Sequence, residues 1–290
     1  MTQFSTLISA PELQTLLASG QPCMVFDCSF DLMQPDSGTA QYLQAHIPGA
    51  VYAHLDTALS AKGDKTVTGA VSGGRHPLPS RENFATWLGS VGFNNTMQAV
   101  VYDRQGVNYC GRLWWMLKWL GHDNVAVLDG GLQAWQAAGG AVGNGPEAAK
   151  NKSNYAPAPV GYAQAAIENV AKNLGRATQT LIDARGAPRY RGEVEPLDPV
   201  AGHIPGALNR PFTANFGEDG KFKPADQLRA EFLALLGDRD PATVVHHCGS
   251  GVSAVPNLLA MEIAGLGRTA LFAGSWSEWS NNPALPVAQG

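Results

Sequence analysis

The sequence predicts an α/β protein of two tandem domains, each a parallel sheet with helices on both faces. Three observations carry this expectation. Short apolar runs alternate with helical patterns along the whole 290-residue chain, the alternation that buries a parallel sheet between layers of helix. The order of these elements occurs twice. Between the two copies lies a stretch rich in Gly, Ala, Pro and Asn with no period, GGAVGNGPEAAKNKSNYAPAP (139–159), which reads as a linker.

The elements can be justified in order. The runs MVFD (closing at Asp27), AVVYD (99–103) and VAVLD (125–129) read as buried parallel strands. RENFATWLGSVG (81–92) and GRLWWMLKWLG (111–121) read as helices, each stopping at glycine. The second half repeats the plan. TLID closes at Asp183, as MVFD closes at Asp27. His46-Ile47-Pro48-Gly49-Ala50 is echoed by His203-Ile204-Pro205-Gly206-Ala207, AVVYDRQG (99–106) by VVHHCGSG (244–251), and VAVLDGGLQAW by TALFAGSWSEW (269–279). A unit of about 130 residues, ordinary for one domain, has been duplicated. The expected division is 1–140, a linker over 141–160, and 161–290.

Composition narrows the function classes. An apolar share of 44% supports a packed core, and 15% charged residues with a net charge of −4 leave no basic footprint for nucleic acid. The N-terminus lacks the basic and apolar regions of a secretory signal, and LWWMLKWL (113–120) is too short to span a bilayer. The expectation is a cytoplasmic protein with neither membrane nor nucleic acid as partner. Cys23, Cys28, Cys110 and Cys248 show no C-x2-C pair, so no metal site is expected. The first three read as small core residues.

Cys248 is different. It stands where a strand, TVVHH, gives way to Gly249-Ser250-Gly251-Val252-Ser253 and then to a helix beginning near Ala254. In open α/β sheets, sites form beyond the carboxyl ends of strands. A glycine-bearing turn can aim successive N–H groups at an anion, and a helix N-terminus adds partial positive charge. Both favour a nucleophilic thiolate, or a persulfide anion carried on it. The first repeat is an internal control: its loop is Asp103-Arg104-Gln105-Gly106, so the fold does not demand cysteine there. A cysteine phosphatase places arginine six positions after its cysteine. Here that residue is Ala254, and the loop is one residue too short for a phosphate. His246 and His247 read as strand residues. Adjacent strand positions face opposite ways, so the pair with Cys248 forms neither a metal site nor a convincing base.

Taken together, the doubled HIPGA motif, the GSWSEW terminus and the CGSGVS loop in the second copy alone resemble the two-domain rhodanese family over essentially the whole chain. The resemblance implies a silent N-terminal domain and a C-terminal catalytic one. It implies a sulfurtransferase that carries sulfur as a Cys248 persulfide, with no cofactor and with a thiol acceptor such as a thioredoxin-like protein. The neutral CGSGV loop is most like that of 3-mercaptopyruvate sulfurtransferases; thiosulfate:cyanide sulfurtransferase and a persulfide carrier are the alternatives. Ser250 is then a proton donor or relay. Arg189 is one arm of a carboxylate clamp, but the second arm falls on Leu197, with Arg185 available to compensate, while Arg191 and Arg210 read as surface arginines. The resemblance also directs His46, Asp36, Phe30 and Tyr109 to the substrate cleft, with His46 and Asp36 joining Ser250 in a proton relay. Because His203 repeats His46, a shared turn-stabilising role is the competing reading for that histidine.

Overall fold

The computed structural model describes residues 3–63 and 68–290. The chain divides into two compact units, and the division is not a single cut. Unit 1 comprises residues 1–69, 79–161 and 218–221; unit 2 comprises 70–78, 162–217 and 222–290. The expected boundary inside 141–160 therefore misses two short segments that belong to the other unit. Residues 139–159 have almost no regular structure, yet Gly143, Ser153 and Ala158 hydrogen-bond to the backbone of unit 1 at His46, Gly89 and Leu120.

Unit 1 runs β1 (Leu7–Ile8), α1 (Ala10–Ala18), β2 (Cys23–Asp27), α2 (Ser37–Gln44), β3 (Val51–Tyr52), α3 (Arg81–Ser90), β4 (Gln98–Tyr102), α4 (Cys110–Trp119), β5 (Val125–Leu128) and α5 (Gly131–Ala137). The sheet order is β1-β5-β4-β2-β3, every pair parallel. Local chemistry sets the helix ends. Ser9 and Glu12 form a reciprocal capping box at α1, and Ser80 caps α3 through Asn83 N. Gly92 and Gly121 follow α3 and α4 with φ of 85° and 81°, the left-handed stop that glycine makes cheap. Helix α4 is buried along its whole length, which explains an apolar pattern with no polar face.

Unit 2 runs α6 (Ile167–Lys172), β6 (Thr180–Asp183), α7 (Ala187–Arg191), β7 (Leu208–Asn209), α8 (Ala225–Leu236), β8 (Val244–His247), α9 (Val255–Ile263), β9 (Ala270–Leu271) and α10 (Ser275–Trp279). Its parallel sheet is ordered β7-β6-β8-β9. Val170, Leu181, Ile204, Phe272, Trp276 and Trp279 pack together on one side of it. In both units the strand that precedes the glycine loop, β4 or β8, is central in the sheet and wholly buried. The loop after it is therefore anchored on the most rigid part of the domain.

The HIPGA motifs do the same structural work twice. His46 stacks on Tyr42 (4.3 Å between ring centroids), and its Nδ1 meets Tyr42 O at 2.8 Å. His203 stacks on Tyr190 at 3.8 Å, and its Nδ1 meets Tyr190 O at 2.8 Å. Each tyrosine then donates its hydroxyl to the alanine that ends the motif, Ala50 O or Ala207 O. Between histidine and alanine, Gly49 and Gly206 take φ of 77° and 80°. The motif locks the turn that follows α2 and the turn that leads into β7.

Candidate active site

Cys248 lies at the carboxyl end of β8, buried. Its backbone is fixed from α10: Cys248 N donates to Ser275 Oγ at 3.1 Å, Trp276 N donates to Cys248 O, and Ser277 N donates to Gly249 O. Ser275 reaches this position with φ of 55°, an unfavourable conformation for a residue with a side chain. The matching residue in unit 1 is Gly131, with φ of 60°. The serine thus accepts local strain and supplies the hydroxyl that holds Cys248. Gly251 has φ of 71°, and a Cβ there would collide with Ala273 O, so this loop position admits only glycine.

The two repeats treat their loops in opposite ways. In unit 1, the Asp103 carboxylate accepts from the N–H groups of Gln105 and Val107 (3.0 Å each), Tyr109 (2.8 Å) and Cys110 (2.9 Å). The loop is an anion cradle, and its anion is part of the chain. In unit 2 the positions matching Gln105 and Val107 are Ser250 and Val252, and their N–H groups find no acceptor among the described residues. Cys248 stands where Asp103 does. The counter-ions differ as well. Arg104, next to Asp103, turns back to pair with buried Asp27 at 3.1 Å. In unit 2 the matching Asp183 is neutralised by Arg185 at 2.7 Å, which leaves the residue after the cysteine free to be glycine.

Ser250 is buried, and its Oγ lies 2.7 Å from His76 Nδ1. His76 comes from the 70–78 segment that joins unit 2. Gly73 and Gly74 bring that segment against α10, since a Cβ at either would strike Glu278 or the Gly274 backbone. Arg75 N donates to Ser277 Oγ at 2.9 Å, tying the segment to the serine that also holds Gly249. The guanidiniums of Arg75 and Arg189 both stand beside Gly249: a Cβ built there would lie 3.3 Å from Arg75 Nη2 and 3.5 Å from Arg189 Nη1.

The structure brings Cys248, Gly249, Ser250, Gly251, Val252, Ser253 and Arg189 into one region of unit 2. The remaining sequence candidates are placed as follows. His46 is buried with both ring nitrogens engaged inside unit 1, Nε2 at 3.0 Å from Glu147; its geometry is that of the turn-stabilising reading, and the histidine on Ser250 is His76. Asp36 is exposed at the start of α2 and caps nothing with its side chain. Phe30 and Tyr109 are buried edge to face at 5.3 Å, and the Tyr109 hydroxyl accepts from Leu32 N. Arg185 is not available to a ligand: it is spent on Asp183, Glu195 and Gly202 O and lies over Trp276. Arg191 is a surface arginine paired with Glu193, but Arg210 is buried and pairs with Glu231. Arg75, His76 and Ser275 escaped the sequence reading. The one available signal was the unexplained Gly73-Gly74-Arg75-His76-Pro77, glycines beside two polar cationic types in a loop.

Electrostatics marks the other three cysteines as core residues. Burial pushes Cys23 up to about 12. It raises Cys28 and Cys110 well above the ordinary thiol range, with the nearby carboxylates of Asp27 and Asp103 adding to the effect. These three are held as thiols and behave as core residues. Burial also drives His246 down to about 3 and lowers His247. Both are neutral at physiological pH, and His246 Nε2 contacts the Met261 sulfur at 3.2 Å.

The doubled α/β fold closes one cradle with a fixed carboxylate and places a cysteine at the matching position of the other. Residues 9–138 and 166–282 match the family Rhodanese, rhodanese-like domain, and the chain belongs to this family of sulfurtransferases. A probable 3-mercaptopyruvate sulfurtransferase of Pseudomonas aeruginosa is 45% identical over 98% of this chain and 98% of its own. A putative thiosulfate sulfurtransferase, SseB, of Mycobacterium tuberculosis is 40% identical over 98% of this chain and 97% of its own. The 3-mercaptopyruvate sulfurtransferase from Leishmania major superposes with a TM-score of 0.82 at 30% identity, covering 96% of this chain and 74% of that one. Among the described residues, no helix is long and apolar enough to cross a membrane.

Proposed function

We propose that the protein transfers sulfur from 3-mercaptopyruvate to a thiol acceptor, such as a thioredoxin-like protein, through a persulfide on Cys248. The observation that carries this reading is the contrast between the two cradles: the same loop accommodates the Asp103 carboxylate in one repeat and presents Cys248 in the other. A persulfide anion is the charge that such a loop would hold.

The chemistry follows from the residues. The Cys248 thiolate attacks the donor sulfur, and an S–S bond forms. The carbon–sulfur bond breaks, its electron pair stays on carbon, and the enolate of pyruvate results. That carbon needs a proton, and the donor thiol has one to give up. Ser250 and His76, 2.7 Å apart, are a path by which the proton leaves sulfur and reaches carbon. The balance is donor thiol plus Cys248 thiolate giving pyruvate plus Cys248 persulfide. An acceptor thiolate then attacks the outer sulfur and frees Cys248.

Thiosulfate is the second reading, favoured by the two guanidiniums beside Gly249, because sulfite leaves as an anion and positive charge assists it. It needs no proton, so it leaves the Ser250–His76 pair without a task. Steady-state kcat/KM for both donors on one preparation tests the assignment. A preference for 3-mercaptopyruvate of tenfold or more is expected, roughly the value of one charge-assisted hydrogen-bonded contact. A preference for thiosulfate would replace the donor.

A further inference from the structure

Surface loops ordinarily turn their charged side chains to water and their apolar ones inward. Residues 194–200 of unit 2, Val-Glu-Pro-Leu-Asp-Pro-Val, do the reverse. The Glu195 and Asp198 side chains are only 3% and 2% exposed, drawn inward by Arg185, Arg189 and Arg75. Val194 is 51% and Val200 39% exposed, and Pro196 and Pro199 also face solvent. Exposed Val287 extends this surface, since it packs against Gly202, two residues beyond Val200. One exposed valine means little, whereas a contiguous apolar rim marks a contact surface. We propose that this rim docks the protein that takes sulfur from Cys248, a thioredoxin-like dithiol protein whose reactive thiol projects from an uncharged, apolar surface. This rests on the reading of a Cys248 persulfide passed to a thiol.

Three features point to what covers it. First, the rim is preformed. Glu195 Oε1 accepts from Leu197 N at 3.1 Å and from Asp198 N at 3.2 Å, and the two prolines fix their own φ. Little chain entropy is left to lose on docking. Second, the rim is continuous with the reacting group. Trp276 Nε1 donates to Val200 O at 2.9 Å, while Trp276 N donates to Cys248 O, so one residue ties the loop to the nucleophile. Third, Cys248 is only 1% exposed. A small thiol can enter such a site unaided and has no use for a rim. A protein thiol must project to reach the sulfur, and the surface around that thiol then lies against whatever borders the site. The only ionisable residues of 194–200, Glu195 and Asp198, are turned inward. The partner is therefore matched by apolar area rather than by opposite charge.

The test loads the intact protein with sulfur from inorganic polysulfide, so that it does not depend on which donor is natural. Discharge is then followed to two acceptors, dithiothreitol and reduced thioredoxin. Val194→Asp and Val200→Asp each set a charge on the rim, at exposed positions outside the reacting groups. Each is expected to lower the second-order rate constant for thioredoxin about tenfold, the loss of one central interface contact, and to leave dithiothreitol and the loading step within about twofold. Val194→Ile, which keeps the apolar surface, should keep the thioredoxin rate. Discharge to thioredoxin should change little with added salt, as an uncharged contact does. Unchanged thioredoxin rates in both aspartate variants, equal slowing of both acceptors, or a steep fall with salt overturns the proposal and leaves the persulfide in place. So does a wild-type protein that self-associates until Val194→Asp separates it, which assigns the rim to a second copy. No sulfur on Cys248 after loading removes the persulfide reading and the acceptor rim with it.

Discussion

Cys248→Ser abolishes sulfur transfer from either donor, with kcat/KM falling about 10⁵-fold. The expectation is large because nothing nearby can replace the sulfur. A serine alkoxide is hard to form, and an oxygen–sulfur adduct cannot pass its sulfur on as a persulfide does. The other cysteines offer no substitute: Cys23, Cys28 and Cys110 are held as thiols by burial. The substitution should leave folding untouched, because serine is close to cysteine in size and the position is held through its backbone to Ser275 and Trp276 rather than through its side chain. A steady-state assay on the purified variant, with circular dichroism to show the fold intact, reads the effect. Retention of even one per cent of wild-type kcat/KM would move the nucleophile elsewhere.

His76→Ala lowers kcat/KM for 3-mercaptopyruvate by ~10²–10³, the range of positioned acid–base catalysis, and leaves thiosulfate within about threefold. The split follows from the two leaving groups. Pyruvate leaves through a carbon that must be protonated, whereas sulfite leaves as it is. His76 acts through Ser250, whose Oγ is 2.7 Å away, so Ser250→Ala should give a similar split. The double variant should cost little more than either single one, as for residues that work as a unit. Equal losses with both donors would mean that the pair serves only to hold the loop.

The candidate loop at Cys248 was legible because its signal is local. Strand, cysteine, glycine turn and helix follow one another in sequence, and the first repeat shows what the fold needs there without chemistry. The same repeat contained the warning about His46. A histidine found in both copies is doing what both copies need, and the stacks on Tyr42 and Tyr190 are that task. Arg75 and His76 were not legible for the opposite reason. Their partners lie 123 and 174 residues away, and the segment that carries them packs with unit 2 although it lies well before the linker. No periodicity marks a loop that changes units. Arg185 misled because nearness in sequence to Arg189 suggested a shared ligand. A buried Asp183 at the end of β6 demanded a counter-ion first, and burying that carboxylate unpaired would cost several kcal/mol.

The central claim is that the open cradle of unit 2 holds a persulfide on Cys248. The most direct measurement is to treat the wild-type protein with stoichiometric 3-mercaptopyruvate and no acceptor, trap it by alkylation, and map added sulfur by peptide mass spectrometry while pyruvate is measured. The account predicts one extra sulfur atom on the Cys248 peptide, one pyruvate released for each, and none on the peptides of Cys23, Cys28 or Cys110. Pyruvate released with no sulfur on Cys248, or sulfur found on another cysteine, would contradict it.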